Sequence, residues 1–183
     1  GGMVRTVGIF ALTLIFSLPL GLLISFGRMS RISVIRNIFK IYISIMRGTP
    51  LMLQIIVVYF GPYYMFRLKM GTGYSFPAVI IAFVINYAAY FAEIYRSGIE
   101  SMPKGQYEAA EVLGYSKAQT FVRIILPQVI KRVLPSITNE TITLVKDTSL
   151  AFTISIAEMF TVAKQIGAAQ TSVVPLLAAG IFY

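Results

Sequence analysis

The sequence contains no cysteine and no histidine. Disulfides, Cys/His metal sites and every catalytic constellation built on a thiol or an imidazole are excluded together. Charge is scarce as well: 13% of the 183 residues are charged, against roughly 25% in an average soluble domain. There is no G-x-x-x-x-G-K-[ST] phosphate loop, so the chain has no visible route to hydrolysing ATP by that means. Energy, if used, has to come from a partner or an ion gradient. No nucleophile stands at a plausible spacing from a base, which leaves an enzyme reading without support.

What the sequence has in excess is apolar residues, 57% of the chain. Residues 7–26 and 70–92 are runs of twenty and twenty-three residues without a charge. Each reaches the roughly 20 residues that a helix needs to cross about 30 Å of hydrocarbon. A cleaved signal peptide is the competing reading of the first run, but its apolar region is usually about 7 to 15 residues long. The run here is longer and passes into Arg28 and Arg31 without an obvious cleavage site.

Three further segments follow. Residues 51–66 are uncharged and preceded by Arg47-Gly48-Thr49-Pro50, where Gly and Pro should break or kink a helix that began near Ile35. Residues 133–157 are broadly apolar but carry Glu140, Lys146 and Asp147, and a last apolar run, 172–183, has twelve residues. The expectation is an all-α, polytopic membrane protein of about five transmembrane helices, the fifth truncated. Residues 1–183 would form one membrane domain with nothing left over for a soluble catalytic domain.

Lysine and arginine orient the chain. If the loops after the second and fourth spans in chain order face outward, eleven of the sixteen Lys and Arg fall inside, against Arg5, Arg67, Lys69, Lys146 and Lys164 outside. The positive-inside rule then places the N-terminus outside. The net charge of +9 is thus mostly a topology signal. No basic soluble module exists to hold a nucleic acid.

One insert, residues 105–128, is charged and Ala-rich where its flanks are apolar. Residues 106–113 suit a helix, with Pro103 before it and Gly114 placed to end it in the left-handed conformation. Ala109 and Ala110 offer a small surface for close approach by another protein. Glu108 and Glu111 can accept hydrogen bonds from such a partner or favour the helix start. A lipid-resting amphipathic helix would show a strong apolar face with Lys or Arg opposite. An acidic, Ala-rich centre suits a protein groove better. A second helical segment starts at Ser116, and Pro127 bends the chain as it re-enters the membrane.

The spacing Glu108-Ala109-Ala110, three residues, Gly114, nine residues, Ile124, one residue, Leu126-Pro127 resembles the EAA loop of the membrane subunits of bacterial ABC importers. MRGTPLMLQ (46–54), YFAEIYRSGIES (90–101), GQYEAA (105–110), LPQ (126–128) and KDTSL (146–150) narrow the resemblance to polar amino-acid permeases. The resemblance implies a five-span subunit of the bacterial cytoplasmic (inner) membrane, paired with a second membrane subunit, identical or paralogous. It also implies a coupling loop at about 99–127, in which Gln106, Glu108, Ala109, Ala110, Glu111 and Gly114 dock on one of two cytoplasmic ATPases. An extracytoplasmic binding protein would deliver the substrate. No cofactor belongs to this chain; ATP and Mg²⁺ belong to the ATPase.

The segment from 133 carries a polar stripe. At 100° per residue, Ser136, Glu140, Thr143 and Asp147 fall within about 60° of one another, with Asn139 and Lys146 beside them. A charge near the bilayer centre costs roughly 2.5 to 3.5 kcal/mol on insertion scales, so Glu140 should face protein or a water-filled path. The candidate substrate-binding set is Glu140, Asn139, Ser136 and Thr143, with Gln54, Asn86 and Tyr90 from neighbouring spans. A mid-membrane carboxylate suits a basic amino acid, arginine, lysine or histidine, and would also serve the α-ammonium of glutamine or another polar amino acid. Pairing of Glu140 with Arg47 is the structural alternative. Glu93 and Arg96, three apart, suit a local ion pair, and Lys146 and Asp147 read most simply as a neutralised pair. A stand-alone secondary transporter or channel with Glu140 as an ion site is the competing functional class. It would be expected to show paired broken helices, whereas one break is visible, at Gly48-Thr49-Pro50.

Overall fold

The computed structural model describes residues 2–68, 71–154 and 159–182, and all regular structure among them is helical. Gly1, Lys69, Met70, residues 155–157 and Tyr183, which enter the expectations above, lie outside the described residues.

The first apolar run lies within α1 (Gly2–Arg28) and most of the second within α4 (Ser75–Glu100), the two helices long and apolar enough to cross a membrane singly. Between them come α2 (Ser33–Gly48) and α3 (Leu51–Phe66). The break expected at Gly48-Thr49-Pro50 is present and sharp: the helices meet at 110°. Thr49 and Pro50 are extended, and Pro50 caps α3. The pair is therefore one broken span or a re-entrant loop rather than a mildly kinked helix. The helix start also differs from the second apolar run, because Gly71 and a 3-10 turn at Thr72–Tyr74 precede Ser75.

After α4 come a short helix, α5 (Lys104–Val112), a single turn, α6 (Lys117–Thr120), and the long α7 (Leu126–Asp147). Between α6 and α7 the backbone passes through a π-helical turn, Phe121–Ile125. That turn is where sequence reasoning expects Pro127 to bend the chain. A wider i→i+5 turn ends with the Leu126 N–H on the Phe121 carbonyl, which makes room for a ring that would otherwise crowd the preceding carbonyl. A 3-10 stretch, Thr148–Ile154, prolongs α7, and α8 (Met159–Gln170) and α9 (Val174–Phe182) follow.

The core is built on α4. Ala78, Val79, Ala82, Phe83, Tyr87, Ala88, Ala89, Phe91 and Ala92 are all buried. Against them α1 turns Thr6, Ile9, Thr13, Ser17, Gly21, Ile24 and Ser25, a stripe of mostly small residues at helical spacing. Small side chains let two membrane helices approach closely, which matters where lipid removes any hydrophobic drive for their association. The other side of α1 exposes Val7, Ile15 and Leu23, so large apolar residues face outward while the inward stripe is mostly small and polar, with Ile9 and Ile24 among it.

Between α1 and α4 the approach is close at Gly21, where an added Cβ would sit 2.9 Å from Phe91 Cβ and 3.0 Å from the Ala88 carbonyl oxygen. Backbone cannot give way as a side chain can. Gly21→Ala is therefore expected to destabilise by about 1–3 kcal/mol in thermal unfolding of the detergent-solubilised protein. Gly61→Ala in α3, where nothing lies within 4 Å of the new Cβ, should be neutral or slightly stabilising.

Candidate functional site

The break between α2 and α3 leaves carbonyls without helical partners, and side chains supply them. Gln54 Nε2 donates to the carbonyl oxygens of Met46 (2.9 Å) and Thr49 (3.1 Å) and to Thr49 Oγ1 (2.8 Å). Asn86 Nδ2, from α4, donates to the same Met46 oxygen at 3.1 Å and to Gln54 Oε1 at 2.9 Å. Both carboxamides are buried. Two of the expected substrate contacts thus form the clamp that holds the broken helix against α4. Gln54 lines neither of the cavities described next, whereas Asn86 reaches the edge of one.

Two adjoining cavities run along the α4–α7 face. The first, about 430 Å³, is bounded by Arg47 from α2, by Tyr90, Glu93 and Ser97 from α4, and by Arg132, Ser136 and Glu140 from α7. The second, about 410 Å³, is bounded by Thr49, Pro50 and Leu51 at the break, by Asn86, Tyr87 and Tyr90, and by Glu140, Thr143 and Asp147. Tyr90 and Glu140 belong to both. The stripe read from helical periodicity, Ser136-Glu140-Thr143-Asp147, therefore borders this groove of two adjoining cavities. Asn139 is exposed and lines neither cavity; its carbonyl accepts the Thr143 hydroxyl at 3.1 Å.

Charges in the groove are divided between paired and unpaired. Arg96 pairs with Glu93, as the spacing leads one to expect, and also with Glu100. Arg132 Nη1 donates to Ser101 O (2.8 Å) and Oγ (2.9 Å). Asp147 departs from the expected pairing with Lys146: it accepts the Tyr87 hydroxyl at 2.7 Å, because the helix turns it inward while Lys146 is exposed. Glu140 and Arg47 form no ion pair with each other, and Arg47 lies over the Tyr90 ring, 5.2 Å from its centroid. The helical spacing of Glu140 and Asp147 was the available signal that both acids share the groove. Nothing in the sequence placed Tyr87 opposite Asp147.

The short helix α5 ends as its residues dictate. Gly114 has φ +78°, its N–H donates to Glu111 O (2.9 Å), and Tyr115 N–H donates to Ala110 O (3.0 Å). This is the paired closure of a Schellman motif. Ser116 and Gln119 then cap α6 reciprocally. Glu108, Ala109 and Glu111 are exposed, as are Val112 and Leu113. Ala110 departs from the expected outward surface: it is turned into the chain and 1% exposed. Gln106 Oε1 accepts from Gln128 Nε2 at 3.2 Å, tying α5 to the start of α7.

A groove bordered by charged and polar side chains in an apolar helical body, with a short exposed helix nearby, is the arrangement that a membrane transport subunit needs. Residues 17–183 match the family of binding-protein-dependent transport system inner membrane components, and the chain belongs to that family as an amino-acid ABC importer permease. It is 40% identical over 168 residues to the L-cystine transport system permease protein TcyB of Bacillus subtilis (strain 168), covering 92% of this chain and 70% of the relative. It is 36% identical over 183 residues to the arginine transport system permease protein ArtQ of the same organism, covering 100% and 82%. A crystal structure of an amino acid ABC transporter with histidines superposes with a TM-score of 0.87 at 32% identity, covering 100% of this chain and 84% of that one. The MetNI methionine ABC transporter, at 18% identity and a TM-score of 0.67, shares the fold.

Asn86→Leu should remove two buried hydrogen bonds and orphan the Gln54 carbonyl oxygen, at about 1–3 kcal/mol per unsatisfied group. Thermal unfolding is the check, with a drop of several degrees expected. An unchanged midpoint would mean that the break is held by other contacts.

Proposed function

We propose that the chain is the membrane subunit of an ATP-driven importer in which two membrane subunits, identical or paralogous, enclose a path for polar amino acids. On this reading basic ones are preferred and the N-terminus lies outside. The observation that carries the proposal is Glu140: a carboxylate without an ion-pair partner among the described residues, at the junction of two polar cavities. It is suited to a cationic group of the substrate. Asp147, two turns on and roughly 10 Å further along the helix, gives the same groove a second acid. Arginine, lysine and protonated histidine carry a cation on the side chain besides the α-ammonium, so two acids on one face favour them over glutamine. Relatives named for arginine and for cystine are consistent with this, since cystine also carries two ammonium groups.

The start of α3 adds an anion-favouring end. Leu51 lies at the second cavity with the first N–H groups of a sixteen-residue helix directed from the break, so that cavity offers backbone donors beside the Asp147 carboxylate. On this reading α5 docks on a cytoplasmic ATPase that holds the ATP and Mg²⁺. An extracytoplasmic binding protein delivers the amino acid.

Two measurements test the reading in proteoliposomes that contain the whole complex and the binding protein. Glu140→Gln should lower arginine uptake at least about tenfold at fixed ATP turnover, the worth of one charge-assisted hydrogen bond. Uptake at the wild-type rate would make Glu140 a packing carboxylate. Gly114→Val meets no atom within 4 Å, so its damage is conformational, about 1–2 kcal/mol against the left-handed stop. It should lower the ratio of transport to ATP hydrolysis, with Gly114→Asn milder. An unchanged ratio for Gly114→Val and for Glu108→Lys would remove α5 from the coupling surface.

A further inference from the structure

One cation in the groove has no hydrogen-bond or ion-pair acceptor among the described residues. Arg47, in the last turn of α2, borders the first cavity across from Glu140. Arg96 takes both Glu93 and Glu100 as ion-pair partners. Arg132, the other arginine on that cavity, is engaged with Ser101 through two hydrogen bonds. The Arg47 guanidinium lies over the Tyr90 ring, 5.2 Å from its centroid. A ring face holds a guanidinium by its plane and leaves its N–H edge free.

An unpaired guanidinium and an unpaired carboxylate therefore face one space of about 430 Å³ without touching, a volume within the usual range for small-ligand sites. Glu140 is half-buried and Arg47 exposed, and a partly buried carboxylate gains from a matched cation. A ligand with an anion and a cation on neighbouring atoms satisfies both at once. The backbone end of an amino acid is such a ligand. We infer that Arg47 is a substrate-binding residue: its fork takes the α-carboxylate while Glu140 takes the α-ammonium. The side chain then extends past Tyr90 into the second cavity, towards Thr143 and Asp147. This rests on the amino-acid reading above and deepens it. It separates a backbone-reading end, common to all substrates, from a side-chain end that sets preference.

The test is equilibrium binding to the purified permease–ATPase complex without binding protein, so that no other protein reads the ligand. The probes are L-arginine, L-glutamine and L-cystine, each against its decarboxylated counterpart, agmatine, 4-aminobutanamide and cystamine. The wild type is expected to bind the amino acid about ten- to a hundredfold more tightly than the amine, the span of a fork-to-carboxylate contact. In Arg47→Gln the two affinities should converge to within about twofold, chiefly by loss of amino-acid binding. Arg47→Lys should retain an intermediate preference, because a point charge lacks the fork. A merely structural role would weaken amine and amino acid together and leave their ratio unchanged. Wild-type discrimination in Arg47→Gln, or equal binding of amine and amino acid by the wild type, overturns the inference while the transport reading stands. Binding of none of the three amino acids, with uptake of one of them intact in proteoliposomes, overturns the inference alone; absence of uptake as well removes the substrate reading with it. Should Arg47→Gln fail to assemble, Arg47→Lys decides: its preference falls about tenfold if Arg47 reads the carboxylate, and holds at the wild-type value if it does not.

Discussion

A helix interrupted inside a membrane protein has to find partners for the backbone groups it frees, since hydrocarbon offers none. Here the chain turns through 110° at Thr49-Pro50, and the Met46 carbonyl oxygen receives both Gln54 and Asn86. Most of the site depends on that clamp. It fixes the end of α2, and so Arg47. It also fixes the start of α3, and so Leu51 at the mouth of the second cavity. Because Asn86 belongs to α4, the broken element is referenced to the same helix that carries Tyr87 and Tyr90. A deletion of either carboxamide would loosen all of these together.

The opposite wall is set by periodicity. α7 turns Ser136, Glu140, Thr143 and Asp147 to the groove and Leu134 and Ile142 outward. Its lower end is fastened to α4 and α5 through Arg132–Ser101 and Gln128–Gln106. The Gly98–Val133 contact adds to this, with no room for a Cβ on Gly98: Val133 Cγ1 would lie 2.2 Å away. On the proposed reading, a push on α5 reaches Glu140 through one continuous body rather than through a flexible loop.

Much of this was legible in the residues. The two long apolar runs, the break at Gly48-Thr49-Pro50, the left-handed stop at Gly114 and the polar stripe of α7 follow from local rules: length, proline chemistry, glycine and the 3.6-residue period. What was not legible depends on which helix lies beside which. Gln54 and Asn86 are polar residues in apolar spans and read equally well as ligands or as clamps until α2 is seen to end beside them. Asp147 adjoins Lys146 in sequence but faces Tyr87 in space. Ala109 and Ala110 are the same residue type side by side, and only the packing of α5 shows that Ala110 is the one turned in. The π-helical turn before Pro127 answers a clash that sequence locates but does not resolve.

The central claim is that the α7 stripe borders water along a substrate path rather than a protein core or lipid. A chain without native cysteine allows this to be measured directly. Single cysteines at Ser136, Thr143, Leu134 and Ile142 would be introduced in the assembled transporter and exposed to a membrane-impermeant maleimide, with and without transported amino acid. The account requires rapid labelling at 136 and 143, slowed by the amino acid, and little labelling at 134 and 142. Labelling confined to 134 and 142, or equal at all four positions and indifferent to substrate, would contradict it.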